Sequence, residues 1–441
     1  MARFSIRASP TRWRWVLWAL LAVGFILVSF HRVTTAVLAE DLSRAFDTTG
    51  AELGLLHASF FYIYAGLQLP AGILVDRVGS RRVASAGLLI MSLGVFGFAL
   101  APTYAISFAS RALLGLGGSV LYTATLRFLA NWYRPDEFAT MTGWTVAAAG
   151  MGGVLATTPL ALAIDAADWR TVLLAIGVFG VGIAVLTFFV VRDRPRDAGF
   201  TPLSGVEPST STVDFSTVVE NTKTVLHERE TWLLGTMLFL VLGTNFSFLG
   251  LWGVPYIANL YDVSVQTASL FVFAGNVGFL LGSPIMGTLS DRLGYRTELI
   301  VFSCTLFTLA YAVLLVTVTP PLLVAGGLLF VALFVMGGTV IAFTVIKERH
   351  EAEASATATG AINSLGYFGA AVLPALMGYA LDAFWTGEML AGARVYTAAG
   401  YRVAFAIATV SGVVALVCAY ALHRRESALD AASTATVEPT D

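Results

Sequence analysis

The sequence predicts an all-α integral membrane protein with twelve transmembrane helices in two pseudo-symmetric six-helix bundles. The chain of 441 residues is 57% hydrophobic and only 12% charged, with a mean hydropathy of +0.78. A soluble domain carries roughly 25% charged residues, so water is not the main solvent of this chain. A short charged motif also occurs twice, each time between two long apolar runs. This repeat indicates two similar halves.

Apolar stretches of about 18 to 25 residues can cross the roughly 30 Å hydrocarbon layer of a membrane as helices. The first stretch follows several arginines, as in a signal peptide, but its apolar run is long and no cleavage site precedes Arg32, so we interpret it as a retained helix. Numbered 1 to 12 in chain order, the predicted spans are 13–39, 52–75, 83–103, 105–131, 139–164, 170–191, 232–259, 266–289, 298–318, 322–345, 356–382 and 401–422.

One long polar connection, rich in proline, serine and threonine, separates the predicted halves. The tail after Arg425 is small and polar, and we expect it to be disordered. The predicted domains are a cytoplasmic N-terminus (1–12), an N-terminal bundle (13–191), a cytoplasmic linker (192–230), a C-terminal bundle (231–423) and a cytoplasmic tail (424–441).

The positions of Arg and Lys predict the orientation, because cytoplasmic connections are enriched in both. With the N-terminus inside, the clusters at 77–82, 192–196, 292–296 and 424–425 all lie in the cytoplasm. The outer connections then hold only Arg44, Arg170, Arg394 and Arg402. We expect a multi-pass protein of the plasma (inner) membrane with both termini cytoplasmic.

Several function classes are disfavoured by composition. A net charge of -2, with basic residues only in short clusters, does not suggest a nucleic-acid partner. Cys304 and Cys418 both lie in apolar runs, and no metal-ligand spacing is present. No phosphate-binding loop or convincing nucleophile and base is visible either. We therefore expect no cofactor, no metal and no enzyme activity, and we expect a monomer in the lipid bilayer.

The repeated motif occupies the connections between spans 2 and 3 and between spans 8 and 9. Its members are Gly72, Asp76, Arg77, Gly79 and Arg81, and in the second half Gly287, Asp291, Arg292, Gly294 and Arg296. Together with the span count, the motif resembles that of the major facilitator superfamily over nearly the whole chain. This resemblance implies a solute transporter. The segment from Phe30 to Ala36 is similar to span 1 of the superfamily's organophosphate and organic anion transporters, in which an arginine meets the anionic group.

The motif predicts a latch on the cytoplasmic side. Asp76 can accept hydrogen bonds from arginines and can face the positive end of a helix. Such a latch would hold one side closed in one state and break in the other. The alternative is that the arginines only enforce topology. The predicted latch and gate residues are Asp76, Arg77, Arg81, Arg111, Asp291, Arg292 and Arg296.

Ionisable groups inside the spans are expensive and usually functional. They are His31 and Arg32 in span 1 and Arg111 and Arg127 in span 4, whereas no Asp or Glu lies mid-span. A path lined by unpaired positive groups favours an anion. Arg32 shares a helical face with Thr35 and is the leading candidate, because a guanidinium can bind a carboxylate or phosphate with two hydrogen bonds. The alternative is a structural pair with Glu40 or Glu52.

Span 7 contains no basic residue to match Arg32, so a doubly charged phosphate ester is disfavoured against a monoanion, a zwitterion or a polar neutral solute. Asn245, Asn276 and Asn363 could donate neutral hydrogen bonds to the solute or could tie helices together. Arg127 is a candidate entry contact or a helix-end tie. The remaining lining candidates, which could also serve packing, are Tyr62, Gln68, Trp144 and Tyr367.

These residues predict secondary uptake of a small organic anion by alternating access, with proton coupling as one option. His31, Glu40 and Glu52 are the candidate proton carriers. The alternatives are a drug or metabolite efflux antiporter and a solute sensor of the same fold that transports nothing. Substrate identity, the direction of transport and the coupling ion stay open at this point.

Overall fold

The computed structural model describes residues 10–200, 215–350, 352–390 and 393–435. The N-terminal half is helical throughout these ranges, apart from short turns. Its helices are α1 (Pro10–Val37), α2 (Ala39–Phe46), α3 (Gly50–Gly66), α4 (Gln68–Val78), α5 (Ser80–Ala99), α6 (Tyr104–Gly118), α7 (Leu121–Trp132), α8 (Pro135–Leu155), α9 (Thr158–Ala166) and α10 (Trp169–Val190).

The C-terminal half repeats this plan after a 3-10 turn at Pro195–Ala198 and a linker helix, and it adds one small hairpin. A π-turn at Phe248–Trp252 joins two of its helices. The elements are α11 (Phe215–His227), α12 (Arg229–Ser247), α13 (Gly253–Tyr261), α14 (Val265–Leu293), α15 (Arg296–Thr317), α16 (Leu322–Thr339), α17 (Ala342–Glu348), α18 (Ala352–Asp382), the antiparallel strands β1 (Trp385–Leu390) and β2 (Ala393–Tyr396), and α19 (Ala398–Ala435).

The predicted helical membrane fold is confirmed. Ten helical segments in the described ranges are long and apolar enough to cross a membrane, and the number reaches 12 when each of two bent pairs counts as one span. One pair, α3 with α4, bends by 60°, and the other, α8 with α9, bends by 40°. Pro70 and Pro159 lie just after the two bends, where a missing backbone N–H weakens the helical hydrogen-bond ladder.

The two faces of the molecule can be named from the elements they carry. The terminal side holds the start of α1, the linker helix α11 and residues 424–425. The distal side holds α2 and the β1–β2 hairpin. The sequence predicts that the terminal side is cytoplasmic, and this orientation stays a prediction.

Close helix contact joins the two halves on the distal side. A Cβ atom on Gly50 or Gly54 of α3 would collide with the backbone of α18 at Gly378 or Ala375, respectively. On the opposite edge of the interface, a Cβ on Gly153 of α8 would collide with the amide of Asn276 in α14. Small residues permit such approach between membrane helices.

Toward the terminal side, equivalent positions are open. A Cβ on Gly72, Gly143 or Gly287 would meet no atom within 4 Å. These glycines belong to α4, α8 and α14, the helices that carry or neighbour the predicted latches. The halves are therefore packed together at the distal side and leave space around these three positions.

The chain ends and the linker differ from the predicted domains in detail. The last helix continues to Ala435, so residues 424–435 of the predicted disordered tail are helical. The predicted linker contains α11, a helix of 13 residues. Residues 1–9, 201–214 and 436–441, which belong to the predicted N-terminus, linker and tail, lie outside the described ranges.

We expect Gly54→Leu to prevent distal closure, because the new side chain would occupy the space of the α18 backbone. Overpacking costs about 1–3 kcal/mol, which corresponds to roughly a fivefold to hundredfold loss of the closed population. Spin labels at Ala45 of α2 and Thr319 before α16 would report a longer distance across the distal side. Gly182→Leu is the matched control, since a Cβ there meets no atom within 4 Å. An unchanged distance in Gly54→Leu would contradict this account.

Candidate functional site

The guanidinium of Arg32 lies at the interface between the two halves. Helix α1 carries it, and its side chain is only 5% exposed. Its Cζ atom lies 4.3 Å from the ring centre of Tyr64 in α3 and 5.0 Å from that of Tyr367 in α18. The electron-rich faces of both rings attract the cation. One positive charge of the first half is thus held between aromatic rings from both halves.

One edge of this guanidinium has no hydrogen-bond partner. Both Nε and Nη2 are buried and unbonded. Among the described residues, no Asp or Glu oxygen forms an ion pair with Arg32, including the predicted alternatives Glu40 and Glu52. The N–H groups of Nε and one Nη point in parallel and match the two oxygens of a carboxylate. The site therefore offers an unused fork for an anion.

Tyr64 and Tyr367 lie over Arg32, and Phe61 and Phe246 pack against Tyr367; we call these four residues the aromatic cover. The rings of Tyr64 and Tyr367 meet at 4.7 Å, and those of Phe61 and Phe246 meet at 5.2 Å. Each pair joins one residue from the first half to one from the second. The aromatic cover therefore joins the two halves beside Arg32.

Arg111 of α6 is buried like Arg32 but has partners. Its Nε donates to the carbonyl oxygen of Leu56 at 3.2 Å, and its Nη2 donates to that of His31 at 3.5 Å. These bonds tie α6 to α3 and α1. The predicted gate role of Arg111 stays a prediction, and its contacts in this state are structural.

The side chains of Thr35 and His57 form a polar pair on the distal side of Arg32. The Thr35 hydroxyl donates to the carbonyl oxygen of Gly250 in the π-turn at 2.7 Å, and it also meets His57 Nδ1 at 2.5 Å. His31 places its ring edge against Phe30 at 5.3 Å. His57 lies on span 2 and is missing from the predicted site residues. Its position among apolar residues is the same signal that identified His31.

Two predicted lining residues meet across the halves. The amide of Asn363 in α18 donates to the amide oxygen of Gln68 in α4 at 3.2 Å. The other asparagines bind within the second half: Asn276 donates to Val272 of its own helix at 3.0 Å. Asn245 accepts from the Tyr311 hydroxyl of α15 at 3.4 Å, while its Nδ2 is buried without a partner.

Tyr62 and Trp144 lie apart from the Arg32 cluster. Tyr62 lines an open apolar groove of about 520 Å³ between α3 and α6, together with Leu67 and Leu113. The Trp144 side chain of α8 is 55% exposed. Their predicted contact with solute is not tested by these positions.

In the predicted first latch, Asp76 pairs with an arginine of another helix, and its role as a latch stays a prediction. Arg127 of α7 lies 3.3 Å from the carboxylate of Asp76. Arg77 is exposed on the last turn of α4. Arg81 instead donates its backbone N–H to Asp193 at 2.8 Å, and its guanidinium lies over Phe188.

The second latch is looser. Arg296 lies 3.8 Å from Asp291 and makes a closer pair, at 2.6 Å, with Glu348 of α17. The Asp291 side chain is 74% exposed, and Arg292 is exposed beside it. The two repeats of the motif therefore have different pairing in the same state.

A carboxylate closes the distal side. Asp382, at the end of α18, accepts from the backbone N–H groups of Gly50 and Ala51 at 2.7 and 2.8 Å. It thus caps the N-terminus of α3 from the opposite half. Nearby on α2, burial raises the pKa of Glu40, and the neighbouring Asp41 charge raises it further. The described residues contain no group of three or more His, Cys, Asp or Glu that could hold a metal.

Comparison with known proteins identifies the family. The family model described as Major Facilitator Superfamily matches residues 20–374 and 237–439. The chain belongs to the Major Facilitator Superfamily. This membership confirms both the predicted fold and the prediction that the chain is not an enzyme.

Relatives within the superfamily are distant in sequence. The "Membrane sensor protein UhpC" of Salmonella typhimurium is 24% identical over 85% of this chain and 87% of its own length. The "Probable galactarate/D-glucarate transporter GudP" of Bacillus subtilis is 22% identical over 87% and 89%, respectively. The "Uncharacterized transporter YybO" of Bacillus subtilis is 26% identical over 59% of this chain and 61% of its own length.

A solved structure supports the superfamily fold. It is a bacterial homologue of the human lysosomal transporter Spinster in an inward-facing, unoccupied conformation. It aligns with a TM-score of 0.74 over 93% of this chain and 97% of that chain, at 17% identity.

We expect Arg32→Gln and Arg111→Gln to affect stability differently. Arg111→Gln removes two buried hydrogen bonds and should lower the free energy of unfolding by about 1–3 kcal/mol. Arg32→Gln removes a buried charge whose fork has no partner, so the lost ring contacts and the relieved desolvation should offset each other to within about 1 kcal/mol. Thermal melts of the two variants without substrate would measure the difference. Equal destabilisation would contradict the assigned roles.

Proposed function

We propose that this Major Facilitator Superfamily protein is a secondary carrier that moves a small organic monoanion by alternating access. Arg32 binds the anionic group. The similarity to GudP supports an organic anion as the class of solute. The names of the relatives do not agree on one substrate, so the proposal rests on the site.

The unused fork of Arg32 is the observation that carries this proposal. A charged group buried at mid-membrane without a partner is costly, and such groups usually serve a solute path. In this protein, the cost comes from Nε and Nη2 of Arg32, which are both buried and unbonded. A bound carboxylate would satisfy both groups and neutralise the charge.

A monoanion fits the site better than a dianion. Arg111 already uses its donors on the carbonyl oxygens of Leu56 and His31. The second half contributes neutral groups near the interface, including the Tyr367 ring and the Asn363 amide. One free guanidinium matches one negative charge, and neutral donors can bind the remaining polar atoms of the solute.

The contacts between the halves support alternating access. The distal side is held by Asp382 on the N-terminus of α3 and by Thr35 on the π-turn, whereas the terminal side has open space at Gly72, Gly143 and Gly287. An anion on Arg32 touches a charge of one half beside a ring of the other. Its binding energy can therefore differ between the two states, which transport requires.

We expect Arg32→Gln to abolish anion binding, because Arg32 alone among the described residues has both Nε and Nη2 buried and unbonded. Arg32→Lys keeps the charge but loses the paired geometry. Since a hydrogen bond to a charged group contributes about 1.5–3 kcal/mol, the Lys variant should bind about tenfold to a hundredfold more weakly. A thermal-shift screen would first identify the ligand among carboxylates, sugar acids, sulfonates and phosphate esters, and calorimetry would compare the variants. Unchanged affinity in Arg32→Gln would remove Arg32 from the site.

A sensor that binds the same anion without moving it is the second candidate. The similarity to UhpC, whose name states a sensor, favours it. We expect purified protein in liposomes to exchange labelled for unlabelled anion across the membrane. Binding without this counterflow would support the sensor. Uptake that rises with an inward proton gradient would indicate symport, whereas gradient-independent exchange would indicate a uniporter or antiporter.

A further inference from the structure

We propose that His57 is a proton-sensitive lock of the distal closure: protonation of His57 from the distal side holds that side open. This inference rests on the alternating-access part of the proposed function, not on the identity of the solute. It concerns a buried histidine that the anion site does not use.

His57 lies where the two halves cross. Thr35 bridges the His57 ring to the carbonyl oxygen of Gly250. Thr35 and Gly250 are 215 residues apart, the same offset that relates Asp76 to Asp291. They are therefore equivalent positions of the two repeats, and their contact lies at the pseudo-symmetry axis. Any distal opening must separate them.

The hydrogen bonds determine which nitrogen of His57 carries its proton. Thr35 has one hydroxyl hydrogen, and the carbonyl oxygen of Gly250 can only accept it. The Thr35 oxygen must then accept from His57, so Nδ1 carries a hydrogen. In a neutral ring with this tautomer, Nε2 carries no hydrogen.

In the closed state, Nε2 has no partner for a second proton. It is buried and unbonded, and the Gly250 backbone packs against it so closely that a Cβ there would touch both Cε1 and Nε2. The π-turn contributes only apolar side chains and backbone on this side. A protonated Nε2 would be an unsatisfied buried donor, which is costly.

The neighbouring positive charge also disfavours a second proton on His57. Helix α6 contributes Arg111, which donates to the carbonyl oxygen next to His57 in the chain, and α1 contributes His31 and Arg32. Helix α18 faces this part of α3 with Pro374 and Ala375, which are apolar. Arg111 thus places a positive charge close to His57, and a second positive charge on the His57 ring is repelled.

Opening the distal side would remove the packing against Nε2 and weaken the repulsion by the neighbouring positive charge. Moving the π-turn away would expose Nε2 to water, where an unperturbed histidine titrates near pH 6.5. A proton bound there would have to leave before Gly250 could return. Acid on the distal side should therefore increase the open population, and the proton is not carried across with the solute.

Distance measurements on the whole protein without substrate would test this lock. Spin labels on Ala45→Cys and Thr319→Cys, with Cys304→Ala and Cys418→Ala, span the distal side. In liposomes, we expect the long-distance population to rise about tenfold from about pH 8 to about pH 5, because only the open state leaves room for a proton on Nε2. His57→Asn keeps a donor in the place of Nδ1 and should lose this response.

Two further variants complete the test of the proposed lock. Asp382→Asn weakens another distal contact without touching His57, so it should raise the open population at both pH values and keep the pH response. If His57→Asn does not fold, His57→Gln with the same labels replaces it. The proposal is overturned if the wild-type distances ignore pH or if the His57 variant responds like the wild type. Because no anion is present, failure of the substrate proposal leaves this result unaffected.

Discussion

The buried guanidinium of Arg32, whose Nε and Nη2 have no hydrogen-bond partner, is the constraint on which the rest of the structure depends. Arg111 differs from Arg32, because its buried guanidinium donates to two carbonyl oxygens. Arg32 is also buried, but its Nε and Nη2 are unbonded, and its guanidinium lies against the rings of Tyr64 and Tyr367. Tyr64 and Tyr367 come from different halves. A change at the guanidinium therefore also changes the contact between the halves.

The closed distal side is stabilised by backbone groups more than by side-chain ion pairs. Asp382 binds the free N–H groups of α3, and Thr35 binds a carbonyl oxygen of the π-turn. A π-turn widens the helix locally and frees such a carbonyl oxygen, which is why these turns occur at moving sites. Both contacts cross the interface at short range, so a small separation of the halves would break them together.

The sequence predicts the spans and the repeat well, because apolar length and a local charged motif do not depend on how helices pack. It also identifies Arg32, since a charge inside a span is visible without a structure. The Asp76–Arg127 pair, the Gln68–Asn363 bond and the role of Tyr64 require the relative rotation of helices, which no local pattern encodes. His57 carried the same sequence signal as His31, but only the packing against Gly250 makes it informative.

The two repeats differ at the positions of the buried basic residues. In the register that aligns Asp76 with Asp291, Arg32 aligns with Ser247, His57 with Val272 and Arg111 with Gly326. Ser247 is satisfied by its own helix through the carbonyl oxygen of Gly243. The basic groups therefore belong to the first half, while the second half supplies rings and backbone. If the protein works by the proposed alternating access, the part that moves over the charged half is largely neutral.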